Sequence, residues 1–328
     1  MEAAKSCLKL LVAAGQIGAL LISFPATAPG QEYPHKPITI YCGYAAGASH
    51  DIATRALASG AEKLLGVPVI VENKPGGGAA VCAGLVASKN PDGYTLGEIS
   101  AGPLTTLPHL TKLPFNPLKD FTFIMQYTLN VGGLCVLSES PIKTIDEFIT
   151  HAKAHPGLSY ASPGRYTANH LSMELFSQCK GLTFKHLPTK GGAEANTLLL
   201  GKHTDFVAGG GQHIMYVKKE VFRMLAVSFK EKRDPNFPNI PTMKEMGCPD
   251  VTAPGYIVVG PRGMSEAVSK KLGETFKKVA DEPAFQKVLA SFDLTYEYKN
   301  RAQIEKEIPV EFERIKNFLK GIGVKKED

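Results

Sequence analysis

The sequence predicts an α/β protein built as two lobes, and three observations carry that prediction. The chain has 328 residues, more than one hydrophobic core usually accommodates. Short apolar runs alternate with helical periodicities in strand, loop, helix order. The alternation occurs in two successive sets, and the end of the chain adds further strand and helix signals that return to the first set. Hydrophobic residues make up 44% and charged residues 21%, the balance of an ordinary packed protein rather than of disorder.

Residues 1–30 read as a segment outside that fold. Lys5 and Lys9 precede the apolar run 10–24, and small residues follow through Ala28 and Gly30, the layout of a secretory signal peptide. The run falls short of the roughly 20 apolar residues that span a bilayer, so removal after Gly30 is expected, with a retained anchor as the other reading. The mature chain is then expected outside the cytoplasm, in the periplasm and as a monomer. Losing two lysines and one glutamate leaves a net charge of about +5, a mild balance that suits a small anionic ligand. Its basic residues are scattered, which argues against nucleic-acid binding.

In the first set, the β-prone run 37–42 leads through a small-residue loop, 43–49, into a helix over 51–65. A second strand over 67–72 leads through Asn73-Lys74-Pro75-Gly76-Gly77-Gly78 into a helix over 79–88. Strands follow at 95–99 and 121–127. The second set contains strands at 134–137 and 159–162, helices over 144–155 and 169–180, an extended run at 183–187, a helix over 193–200 and a strand at 204–208. Residues 234–252 are rich in proline and glycine. A strand at 256–260, helices over 265–281 and 283–291, a strand at Tyr296 and an amphipathic helix close the chain.

Outside the leader the five cysteines, Cys42, Cys82, Cys135, Cys179 and Cys248, have wide, irregular spacing without a C-x-x-C pair. They indicate neither a disulfide framework nor a zinc knuckle, and most read as buried small hydrophobes. Several enzyme patterns fail. Val81 stands where a dinucleotide fingerprint starting at Gly76 needs its third glycine, and Asn196 and His203 break a phosphate loop around Lys202. Asp51 replaces the last glycine of a nucleophile elbow. His151 and His155 lack a third metal ligand. No cofactor, metal or catalytic set is expected.

Tyr33-Pro34-x-Lys36-Pro37-Ile38-Thr39-Ile40, the loop 47–51, Val71-Glu72-Asn73-Lys74-Pro75-Gly76-Gly77-Gly78, Pro91-Asp92-Gly93-Tyr94-Thr95-Leu96 and Pro241-Thr242-x-x-Glu245-x-Gly247 occur in that order. Together they resemble the Bug-type periplasmic receptors of tripartite tricarboxylate transporters. The resemblance implies a type II periplasmic-binding-protein fold, with residues 31–130 and 253–328 in lobe 1 and 131–252 in lobe 2. Crossings are then expected near Asn130 and Thr252. It also implies a small carboxylate-bearing ligand held between the loops 44–51 and 162–170, and large and small membrane subunits as partners.

Residue by residue, Tyr44, Gly47 and Ala48 shape a loop that lets backbone N–H groups approach an anion at a helix N-terminus, and Ser49 adds a hydroxyl donor. Asp51 reads equally as a ligand neighbour or as the helix cap. His50 reads as an ordinary loop residue. On the second loop, Ser162, Thr167 and the Gly164 amide are donor candidates. Arg165, where the family often has a small residue, either forks onto a carboxylate or lies on the solvated rim, and His170 reads as a core residue orienting the loop. Lys190, Gly191 and Asp205 match positions expected to border the cleft. The function implied is extracytoplasmic capture of a small carboxylate for a membrane transporter. A sensor feeding a signalling kinase and an exported enzyme acting on a small acid are the alternatives.

Overall fold

A computed structural model describes residues 32–230, 232–234, 236–251, 255–292 and 294–321. The expected leader and the crossing expected near Thr252 lie outside the described residues. The chain up to His35 stands as one unit and the chain from Lys36 as another. Every described helix and strand belongs to the second unit.

The elements alternate. β1 (Ile38–Cys42) leads into α1 (Ser49–Leu65), β2 (Val69–Asn73) through a 3-10 turn at Gly77–Ala79 into α2 (Ala80–Ala87), and β3 (Thr95–Ser100) into the short α3 (Gly102–Thr105). After β4 (Phe121–Leu129) the chain enters β5 (Gly132–Leu137), α4 (Ile145–Ala154), β6 (Leu158–Ser162), α5 (Ala168–Lys180), β7 (Phe184–Pro188) and α6 (Gly192–Leu200). Next come β8 (Phe206–Gly210), α7 (His213–Lys218) and β9 (Phe222–Ser228). β10 (Gly255–Pro261), α8 (Glu266–Asp281), α9 (Pro283–Ser291), β11 (Thr295–Asn300) and α10 (Arg301–Gly321) complete the described chain. Local chemistry sets several boundaries. Thr144 caps α4 by accepting from Glu147 N, Thr167 caps α5, and Ser265 caps α8, each worth about 1 kcal/mol. Gly66 and Gly181 end α1 and α5 in the left-handed conformation.

Two sheets result. The first has six strands in the order β11-β4-β10-β3-β1-β2, and the second five in the order β7-β6-β8-β5-β9. β1 pairs parallel with β2 and β3, as successive strand, loop, helix units require, whereas β10 runs antiparallel between β3 and β4. Each sheet has its own core. Ile99, Val86 and Ile257 pack with Ile304 and Ile308 of α10 on the first. Phe148, Tyr160, Phe176 and Phe206 pack on the second. Each such buried side chain stabilises by about 1.5–3 kcal/mol, so the cores rather than the caps hold the lobes together. A further cluster joins Leu171 and Leu175 of α5 to Ile315 and Leu319 of α10. The C-terminal helix therefore touches both lobes.

Sequence reasoning passes over β9 and α7. The cysteine reading needs correction: Cys179 and Cys248 form a disulfide, because the end of α5 and the segment before β10, far apart in sequence, lie side by side. Cys42, Cys82 and Cys135 are buried thiols. Among the described residues no helix is long and apolar enough to cross a membrane.

Candidate ligand-binding site

A cavity of about 790 Å³ lies between the two sheets. It opens where strands end and helices begin. The loop after β1 delivers Tyr44, Ala48, Ser49 and His50 to its wall, and the loop after β6 delivers Pro163, Thr167 and Asn169. α1 starts with Ala48 as N-cap and no side chain caps it, so first-turn N–H groups retain anion-binding capacity.

The loops touch the opposite lobe directly. Ala45 N donates to Lys190 O at 3.1 Å, Gln212 Nε2 donates to Gly47 O at 2.7 Å, and the Ser49 hydroxyl lies 3.5 Å from Gly210 O, while within its own lobe it lies 2.8 Å from Tyr256 Oη. At the far edge, Gly78 has φ 61°, and a Cβ there would sit 3.2 Å from the Arg165 carbonyl oxygen. The three hydrogen bonds bridge the two lobes beside the cavity.

Of the residues singled out from sequence, Tyr44, Ala48, Ser49 and Thr167 line the cavity. Others in those loops are spent on building them. Asp51 is not the cap, which is Ala48, but sits in the first turn of α1, where it accepts from Gly47 N at 2.9 Å and Asn73 Nδ2 at 2.8 Å and pairs with Arg55, securing the loop. Ser162, fully buried, lies 2.7 Å from His186 Nε2 and donates to Gly164 O. Lys190 is exposed and presents its backbone, its N–H donating to Glu194, while Gly191 packs next to Ala48. Arg165 is exposed with its guanidinium over the Tyr166 ring, outside the cavity lining. Asp205 is a correction. It precedes β8, at the end away from Gly210, and accepts from Ser159 N and Oγ at 2.7 and 2.8 Å. Five residues of strand separate it from the cavity end, about 16 Å, so it clips strand starts together.

Residues that sequence reasoning missed complete the wall. Gln126 on β4, Asn130 between β4 and β5, and Thr105 and Thr106 after β3 line it, as does α10 through Gln303 and Lys306. Gln126 Nε2 and Asn130 Oδ1 are buried without a hydrogen-bond partner in the protein. Buried polar atoms are nearly always paired, so two orphans on residues that line one cavity mark unspent polar capacity beside it. No local pattern marks Gln126 or Asn130, because only the crossing of the chain between sheets brings them to the cavity. Burial and the neighbouring Arg165 hold the His170 and His186 imidazoles near 3 and 4, His186 also pressing on His170. They stack as neutral rings at 4.1 Å under the second loop, His170 accepting from Tyr166 N at 3.1 Å. Among the described residues no group of three His, Cys, Asp or Glu could hold a metal.

Residues 53–324 match the tripartite tricarboxylate transporter family receptor family, TctC. The chain belongs to that family. Its members are periplasmic solute-binding receptors. It is 39% identical over 316 residues to a Cupriavidus necator protein named for the gbd 5' region, covering 96% of each chain. Among solved structures, the periplasmic binding protein BugD superposes with a TM-score of 0.84 at 27% identity, covering 90% of this chain and 100% of that one. MatC from Rhodopseudomonas palustris, with bound malate, shares the fold at a TM-score of 0.80 and 22% identity, covering 87% and 99%. The receptor family thus has the two-lobe α/β fold seen here.

Proposed function

We propose that this receptor captures a small carboxylate in the cavity between its lobes, without turnover, and delivers it to the large and small membrane subunits of a tripartite tricarboxylate-type transporter. One observation carries the reading: the uncapped N-terminus of α1 and the start of α5 meet across one cavity, whose wall also includes Gln126 and Asn130. Helix N-termini stabilise anions, and the malate bound by MatC is an acid of the right kind. Ser49, Thr167 and the Ala48 loop are the contacts on this reading, with Tyr44 shaping the wall. The lobes comprise residues 31–130 with 253–328, and 131–252, and the receptor works as a periplasmic monomer after loss of its leader.

A thermal-shift screen of malate, adipate, benzoate and glutamate tests it, because a ligand that binds only the native state raises the melting temperature by mass action. The expected result is a saturable shift with at least one acid, which is recovered unchanged by mass spectrometry. Consumption beyond one equivalent, or no shift with any small acid, overturns the reading.

A further inference from the structure

Behind the carboxylate loops the cavity wall holds a buried charge. Glu98 on β3 is fully buried, and its carboxylate lies 2.8 Å from His50 Nδ1. The His50 ring is clamped between two tyrosines, with centroids 3.9 Å from Tyr44 and 3.4 Å from Tyr256 and planes within 19° and 17°. His50 is only 6% exposed, yet it lines the cavity. Nδ1 is taken by Glu98, and Nε2 has no protein partner among the described residues.

The groups around the pair leave Glu98 as the charge that His50 faces. Burial raises the Tyr44, Tyr127 and Tyr256 phenols and the Cys42 thiol, with Glu98 adding to each, so all stay neutral. Asp51, the next residue in the chain, is committed to Gly47, Asn73 and Arg55. A carboxylate behind an imidazole fixes its tautomer and orientation and favours a proton on the opposite nitrogen when an anion approaches there. Replacing either member leaves the other buried and unpaired, which is costly.

Resting on the receptor reading, we propose that His50 is a specificity-determining ligand contact, positioned by Glu98, whose Nε2–H donates to an acidic group of the ligand. The Tyr44 and Tyr256 rings hold the imidazole plane, and Ser49, bonded to Tyr256 Oη, ties the stack to the α1 N-terminus. An amide in place of the acid lacks the charge that strengthens the bond from Nε2–H, so the site discriminates acids from their amides.

Calorimetric titration of wild type, His50→Asn and Glu98→Gln with malate, adipate and benzoate, and with the corresponding amides, decides it. The wild type is expected to bind its acid at least about ten-fold more tightly than the matching amide. His50→Asn is expected to bind the acid at least about ten-fold more weakly and to lose its preference for acid over amide. Glu98→Gln retains the ring and is expected to narrow that preference, which a merely structural carboxylate would not do. Acid binding without a preference over the amide in the wild type, or with His50→Asn unchanged, overturns the contact and leaves the receptor reading standing. If no acid binds the wild type, the contact falls together with that reading. Should Glu98→Gln fail to fold, carbethoxylation of the ligand-free wild type with peptide mapping supplies the second measurement. His50 is expected to react through the cavity while the fully buried His213 does not, and an inert His50 overturns the proposal.

Discussion

Cys179, near the end of α5, is bonded to Cys248, 69 residues further along the chain. The bond ties the second lobe's helix to the segment that carries the chain back towards β10. Closing a loop of that length removes enough freedom from the unfolded chain to stabilise the fold by up to about 4 kcal/mol. Urea unfolding of the oxidised protein and of Cys179→Ser is expected to show a clear drop in midpoint for the variant, matched by wild type in reductant. Coincident curves would mean that the unfolded chain gains nothing when the bond is cut.

His213 opens α7 fully buried, and both ring nitrogens lack partners. Burial lowers its pKa from 6.5 to about 3. A depressed imidazole binds its proton more readily in the unfolded chain, so its effect on stability is small above the unfolded pKa and grows as pH falls towards the folded one. Acidification from about pH 6.5 to 3 is therefore expected to cost on the order of 4 kcal/mol through this residue alone. His170 and His186 act in the same direction. His213→Gln should unfold less steeply with acid than wild type in a pH series of chemical denaturation, and parallel curves would exclude His213 as a source of acid sensitivity.

Gln212 Nε2 donates to Gly47 O across the cleft. A hydrogen bond of this kind contributes about 1 kcal/mol, enough to change the ratio of closed to open forms several-fold when the two lie close in energy. Gln212→Ala is expected to raise the radius of gyration of the ligand-free protein in small-angle scattering and to restore the wild-type value on ligand saturation. No difference without ligand would show that closure rests on other contacts.

Gly78 takes φ 61° at the edge that meets Arg165 O. Alanine pays roughly 1–2 kcal/mol for that backbone and brings a methyl against the carbonyl. Gly78→Ala is expected to lower the melting temperature and to weaken capture of the ligand found by screening. Gly47→Ala shares the backbone strain, with φ 80°, but has open space around it, so a larger loss of affinity for Gly78→Ala separates closure from strain.

The strand, loop, helix units are legible in the sequence because local patterns encode them: the apolar run at Ile38–Cys42 and the periodicity of α1 each suffice alone. The two loops that reach the cavity wall are legible for the same reason, since small residues before a helix start are a local signal. β9 escapes such reading, although Phe222–Ser228 is almost wholly apolar. It lacks the flanking turn residues and polar alternation that mark a half-buried strand. His50 reads as loop because Glu98, 48 residues away, becomes its neighbour only once β1 and β3 pair. Asp205 is misplaced for the converse reason. Its position along β8 is local, but which end of the strand faces the cavity is a property of the assembled sheet.

β10 lies between β3 and β4 in the six-stranded sheet, and it comes from the far side of the whole second lobe in sequence. Until residues 255–261 arrive, β3 and β4 have no strand between them to pair with, whereas the five strands of the other sheet all lie within residues 132–228. The inserted lobe can therefore assemble from a continuous stretch of chain while its host waits. A chain made from its N-terminus onward finishes the middle before the beginning, and β1 to β4 must be kept from wrong edge pairings throughout that delay.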